Sequence, residues 1–105
     1  MQRQCFSFQI REGTLAEYQR RHDEIWPELV AELKEAGLSN YTLFRYDDEH
    51  VIGYVECDPD AATCFGRLAS APANARWSEW FEDIIVSLTD DDGNMHSMQE
   101  LWHLT

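Results

Sequence analysis

The stretch EYQRRHDEIWPEL, Glu17 to Leu29, places the imidazole of His22 one helical turn after the phenol of Tyr18 and one turn before the indole of Trp26. At 100 degrees per residue, Leu15, Tyr18, Ile25, Trp26, Leu29 and Leu33 fall within about 50 degrees of one direction, and His22 lies near the centre of that arc. An inward imidazole has two readings. One is a core histidine satisfied by a local partner. The other is proton transfer, because a group that titrates near about 6.5 gives and takes protons at neutral pH without special tuning. Tyr18 suits either reading: its hydroxyl can hold a substrate oxygen or steady the imidazole. Trp26 reads first as the aromatic edge of an amphipathic helix.

A second aromatic group begins at Trp77, preceded by Arg76 and followed by Trp80 and Phe81. Core packing explains most such stripes. Trp77, nearest the helix start, is the one expected to stay partly open, and an indole face suits the apolar C–H face of a sugar ring. Other chemistries find no support. The acidic run Asp90 to Asn94 fails as a calcium loop, since setting Gly93 at the sixth position puts Leu88 at the first ligand position and Gln99 at the twelfth. His96 and His103 lack partners at metal-ligand spacing. No glycine-rich phosphate loop and no G-x-S-x-G elbow occurs. The three cysteines, Cys5, Cys57 and Cys64, are odd in number and have no C-x-x-C spacing, which argues against a disulfide framework and a thiolate zinc site.

These side chains need elements to position them. Residues 3 to 10 alternate Phe6, Phe8 and Ile10 against Cys5 and Ser7, the period of a half-buried strand. Thr14-x-x-Glu17 has the form of a capping box opening a helix at Leu15. The apolar period continues to Ala36, Gly37 is a left-handed stop, and Pro27 predicts a break around residues 23 to 27. Residues 40–46 and 51–57 predict a hairpin. Asp58-Pro59 is expected to cap a short helix through Ala69 that buries Phe65 and Leu68, and Pro72 to start another. The series Trp77, Trp80, Phe81, Ile84, Ile85, Leu88 predicts that this helix runs on to residue 88, and alternation over 98–104 predicts a last strand. The resulting order, β-α-β-β-α-β with split helices, is that of a ferredoxin-like α+β sandwich. Its sheet has one face without helices, and strands bearing Phe6, Phe8, Tyr41, Tyr46, Tyr54 and Trp102 are too aromatic for both faces to be wet. A homodimer is expected.

Composition bounds what such a protein does. The 105 residues predict a single domain over 1–105 with one modest core. Twenty acidic against eight basic side chains give a formal charge of −12, which repels phosphate backbones and anionic membrane surfaces, so neither nucleic acid nor membrane is an expected partner. No apolar run approaches a membrane span, and the N-terminus lacks the apolar block of a secretion signal. The cysteines read as small apolar residues in a reducing cytoplasm.

EYQRRHDEIWPELVAELKEAG (17–37), NYTLF (40–44), NARW (74–77) and MQELWHL (98–104) together resemble the L-rhamnose mutarotases, in order and at compatible spacing across nearly the whole chain. The resemblance implies a dimeric α+β barrel that interconverts the α and β anomers of a deoxy sugar with no metal or organic cofactor. It implies that His22 is the catalytic proton donor, that Tyr18 and Tyr41 bind the sugar, and that Trp77 lines its site. Many members carry a second tryptophan where this chain has Ser78, which keeps L-fucose or a related deoxy sugar beside L-rhamnose as the substrate. Mutarotation needs one proton delivered to the ring oxygen and one removed from the anomeric hydroxyl, so no nucleophile or redox group is required. The base is open between a water and a second ionisable group such as Glu100. Two other functions remain: a cofactor-free monooxygenase on the same small barrel, acting on an aromatic substrate, and a non-catalytic sugar-binding module.

Overall fold

Alternation along the first strand is realised in three dimensions: Phe6, Phe8 and Ile10 are all buried beneath helices, while Cys5 and Ser7 face the other way. The computed structural model describes residues 1–105. In chain order its elements are β1 (Gln2–Ile10), α1 (Leu15–Asp23), α2 (Pro27–Glu35), β2 (Leu38–Asp47), β3 (His50–Cys57), α3 (Ala61–Ala69), α4 (Pro72–Trp80), a 3-10 turn (Phe81–Asp83), β4 (Ile85–Ser87) and β5 (His96–Met98). The sheet is antiparallel throughout, in the order β2-β3-β1-β4. β5 joins the same edge of β1 further along, with Cys5 opposite Met98, while β4 sets Ile10 opposite Ile85. This is an α+β fold with four α-helices; the order follows the expected β-α-β-β-α pattern and then ends in two short strands, β4 and β5, where one was expected. One core cluster joins sheet residues such as Val51, Val55 and Leu38 to Tyr18, Cys64, Leu68 and Phe81 of the helical layer. None of the helices is long and apolar enough to cross a membrane.

The break before Pro27 falls where its missing N–H and the restricted residue before it require. α1 ends at Asp23, Trp26 is extended (φ −67°, ψ 133°), and Pro27 is the first residue of α2. Gly37 stops α2 at φ +101°, where a side chain would also run into the Asp58 carbonyl.

Four expectations from the sequence are corrected. The capping box does not form. Thr14 sits in the helical region and donates to the Arg11 carbonyl at 2.6 Å, and the Glu17 carboxylate goes to Arg20 and Arg21, whose charge-assisted bonds outcompete one backbone amide. The cap of α3 is Asp60, which accepts from the Thr63 N–H at 2.7 Å; Asp58 is still held in strand-like pairing by the Gly37 carbonyl. α4 ends at Trp80 instead of continuing to residue 88. The β-branched run Ile84-Ile85-Val86 favours extended backbone, Ile85 joins β1, and Leu88 is left 43 % exposed. The last strand is three residues, 96–98, because the alternation over 99–104 finds no strand partner within the chain; Leu101, Trp102 and Leu104 are exposed.

Candidate active site

Between the helical layer and the sheet lies a cavity of about 820 Å³. Sixteen of its 22 lining residues are hydrophobic, the composition of a small-molecule site in which a few polar groups fix orientation. Tyr18, His22, Tyr41, Trp77 and Ser78 all line it, brought together from α1, β2 and α4. Trp26 and Glu100 do not. Trp26 backs the site, meeting Trp77 edge-on at 5.1 Å and stacking on Trp80 at 5.6 Å. Glu100 pairs with Arg3 at 2.9 Å, away from the cavity lining.

His22 is half-buried in the last turn of α1. Its Nδ1 lies 2.9 Å from the Tyr18 carbonyl oxygen. A carbonyl only accepts, so Nδ1 carries the hydrogen and the neutral ring keeps its lone pair on Nε2. Aromatic rings surround the imidazole: Tyr18 at 4.4 Å, and Trp77 and Phe81 at 5.2 Å. Burial among them pulls the His22 pKa below its ordinary 6.5, against the opposing pull of the Tyr18 carbonyl and the charge of Asp23. Burial also raises the Tyr18 phenol far above the usual range, while the Tyr41 ring is partly exposed. At neutral pH both tyrosines are therefore hydrogen-bonding groups, and His22 is an uncharged acceptor at Nε2.

The walls are held by residues that the apolar pattern did not single out. Arg21, the one buried charged side chain, donates to both Asp83 carboxylate oxygens at 3.0 Å, to the Trp80 carbonyl at 2.7 Å and to Glu17 at 2.7 Å. Its guanidinium lies over the Trp80 ring at 4.5 Å. At the other end of α4, the Glu32 carboxylate of α2 accepts from the backbone N–H groups of Ala73 (2.9 Å) and Asn74 (2.8 Å), capping a helix whose own cap residue is Ala71. The end of the helix carrying Trp77 is thus fixed to α1, which carries His22, and its start to α2. Glu32 gave no signal in the sequence, since its partners are more than forty residues away. Asn74 and Glu82 also line the cavity; their spacing of four from Ser78 was a signal available in the sequence.

No three His, Cys, Asp or Glu side chains gather so as to hold a metal ion. The chemistry available to the arrangement is proton transfer at one imidazole nitrogen, beside two neutral phenols, in a cleft whose aromatic faces suit a ring with an apolar side.

Fold and site together describe an α+β protein with a largely apolar cleft in which one imidazole stands beside two phenols. Comparison with known proteins makes the class specific. The family model for L-rhamnose mutarotase matches residues 3–104. L-rhamnose mutarotases of Acidiphilium cryptum and Oceanobacillus iheyensis are 34 % and 30 % identical to this chain, each over 99 % of both sequences. That of Escherichia coli O1:K1 is 31 % identical with the same coverage. The crystal structure of an L-rhamnose mutarotase from Formosa agariphila superposes with a TM-score of 0.79 over the full length of both chains at 24 % identity, a likeness of fold. The chain belongs to the L-rhamnose mutarotase family, whose members are anomer-interconverting isomerases.

Proposed function

We propose that this protein is a mutarotase acting on L-rhamnose, with His22 as its proton-transfer residue. The observation that carries the reading is the family match along residues 3–104. The geometry around His22 supports the chemistry. In this mechanism the free Nε2 accepts the proton of the anomeric hydroxyl as the C1–O1 double bond forms and the bond from C1 to the ring oxygen breaks. The imidazolium so formed then delivers that proton to the ring oxygen. Both oxygens are bonded to the same carbon, so one nitrogen can serve both. Rotation about C1–C2 presents the other face of the aldehyde, and reversal of the transfers closes the ring as the other anomer. Tyr18 and Tyr41 hold sugar hydroxyls as neutral phenols, and Trp77 takes the apolar face of the ring.

The reading extends to assembly and location. The helix-free face of the sheet carries Phe44, 55 % exposed, with Met98, Ile52 and Tyr54, and two copies joining their sheets there would form a dimeric α+β barrel. Residues 1–105 act as one domain, and the three cysteines, all free, fit a reducing cytoplasm.

Exchange NMR on L-rhamnose tests the activity. The expected result is faster α/β exchange with native protein than with a heat-denatured sample, and loss of most of that acceleration in a folded His22→Ala variant. Equal exchange in the native and denatured samples overturns the assignment. Full activity in the variant overturns the role of His22.

A further inference from the structure

Six of the cavity-lining residues are polar: His22, Thr42, Asn74, Ser78, Glu82 and Thr89. Half of them, Asn74, Ser78 and Glu82, follow one another at intervals of four along α4 and the 3-10 turn that extends it. They form a polar ridge on one wall, next to the apolar ridge of Trp77 and Phe81. Glu82 is the only carboxylate lining the cavity, and no lysine or arginine lines it. Its neighbour Asp83 is committed to Arg21 through both oxygens, whereas no side chain or backbone donor within the chain takes the Glu82 carboxylate; Arg11 reaches only its carbonyl oxygen, at 3.4 Å. Asn74 donates its amide to the Leu68 carbonyl at 3.2 Å, which leaves its Oδ1 free to accept, and the Ser78 hydroxyl has no partner in the chain.

A sugar ring presents an apolar face and a rim of hydroxyls, and a cleft that reads it needs both an aromatic plate and a line of acceptors beside that plate. One helix supplies both here. We propose that the Asn74–Ser78–Glu82 ridge is the hydroxyl-reading wall of the cleft and that Glu82 sets its specificity. The Glu82 carboxylate accepts hydrogen bonds from two adjacent hydroxyls of a monosaccharide whose apolar face lies on Trp77. Two oxygens held in one plane match a vicinal diol as they match other paired donors, and bonds to a charged acceptor are the strong ones. Ser78 leaves room on the ridge for those hydroxyls where a larger side chain would close it. The inference rests on the sugar reading of the cleft given above.

The test compares L-rhamnose with its 2-deoxy, 3-deoxy and 4-deoxy analogues in wild type, Glu82→Gln, Glu82→Ala and the control Glu79→Gln, which removes a charge from α4 outside the cavity lining. Exchange NMR supplies kcat and KM, and tryptophan fluorescence supplies sugar affinity without requiring turnover. The expected result is that wild type loses about tenfold in kcat/KM on at least one deoxy analogue. The Glu82 variants should lose about as much on L-rhamnose, chiefly through KM, and lose nothing further on that same analogue. Glu79→Gln should behave as wild type. Equal losses on every sugar, or no loss, overturn the role of Glu82 while wild-type turnover leaves the mutarotase reading standing. Glu82-dependent discrimination in binding without any exchange supports the ridge and overturns the mutarotase reading. Wild type that neither binds nor converts these sugars overturns both.

Discussion

The imidazole of His22 donates from Nδ1 to the carbonyl of Tyr18, the residue one turn before it, at 2.9 Å. This contact fixes the tautomer and leaves Nε2 as the nitrogen that can exchange a proton within the cleft. It also steadies a ring whose other neighbours are aromatic faces.

The pH dependence follows from the lowered pKa of His22. Burial, its main cause, disfavours the imidazolium, so the active neutral form persists below pH 6.5. Anomer exchange corrected for buffer catalysis should be flat through neutral pH and fall only on the acid side of 6.5. The stability consequence has the same direction. The unfolded chain binds this proton more readily, so the contribution of the neutral ring is full above about 6.5 and is lost as pH falls through the lower folded value. An NMR titration of the His22 ring should give a midpoint under 6.5; one above it contradicts the burial argument.

Replacing His22 by alanine should lower the catalysed rate by about 10²- to 10⁴-fold, the usual worth of a positioned acid–base group. The midpoint of thermal unfolding should move little, since the ring is only half-buried and gives up a single hydrogen bond. A collapse in stability matching the loss of rate would instead mark His22 as structural.

Arg21→Met should keep much of the buried stem but lose the fork that joins α1 to Trp80 and Asp83. The expected cost is about 2 kcal/mol, because a backbone carbonyl loses its donor and a bidentate pair is broken. Urea unfolding of the variant measures it. Arg21→Lys should recover only part, since an ammonium cannot reproduce the planar fork.

The Glu32 carboxylate is the cap of a helix that its own sequence leaves uncapped. Glu32→Ala should cost about 1 kcal/mol and raise KM for sugar by loosening the start of α4. Glu32→Gln, which keeps one acceptor oxygen, should fall between the two. Hydrogen exchange at the Ala73 and Asn74 amides reports the same loss directly.

Gly53 lies on β3 under the ring of Phe6, where an added Cβ would overlap the ring atoms. Phe6 in turn meets Tyr41 edge-on at 6.2 Å. Gly53→Ala should therefore destabilise the fold by about 1 to 3 kcal/mol as the ring shifts, and weaken sugar binding through Tyr41. Wild-type stability and affinity together in this variant would show that the ring has somewhere else to go.

The sequence was most informative where a local rule and the tertiary fold agree. Phe6, Phe8 and Ile10 announced β1, Pro27 the break in the first helix, and Gly37 its stop, because each depends on backbone geometry or on a two-residue period. It misled where other partners, local or distant, compete for the same groups. Glu17 has the spacing of a capping residue, yet two arginines on its own helix take it. Ile84 and Ile85 extend the helical period of Trp77 and Trp80, but the edge of β1 draws Ile85 into a strand. The convergence of Tyr18, His22, Tyr41, Trp77 and Ser78 on one cavity followed from motif resemblance rather than from any local pattern, since three separate elements supply them. The clamps at the two ends of α4 were hidden for the same reason: no residue near Arg21 or Glu32 in the chain marks the partners on α4 and the turn after it that the fold brings to them.

Each of the four helices is nine residues long, shorter than the roughly 12 to 15 residues at which an isolated helix becomes marginally stable in water. None should persist apart from the sheet, and the cleft they enclose should have no partly assembled form. Turnover can then serve as a gauge of the native fraction: in urea, the loss of anomer exchange should coincide with the loss of circular dichroism in a single transition. Variants that merely lower stability should lose activity along that same curve, and only those that touch the chemistry should fall below it.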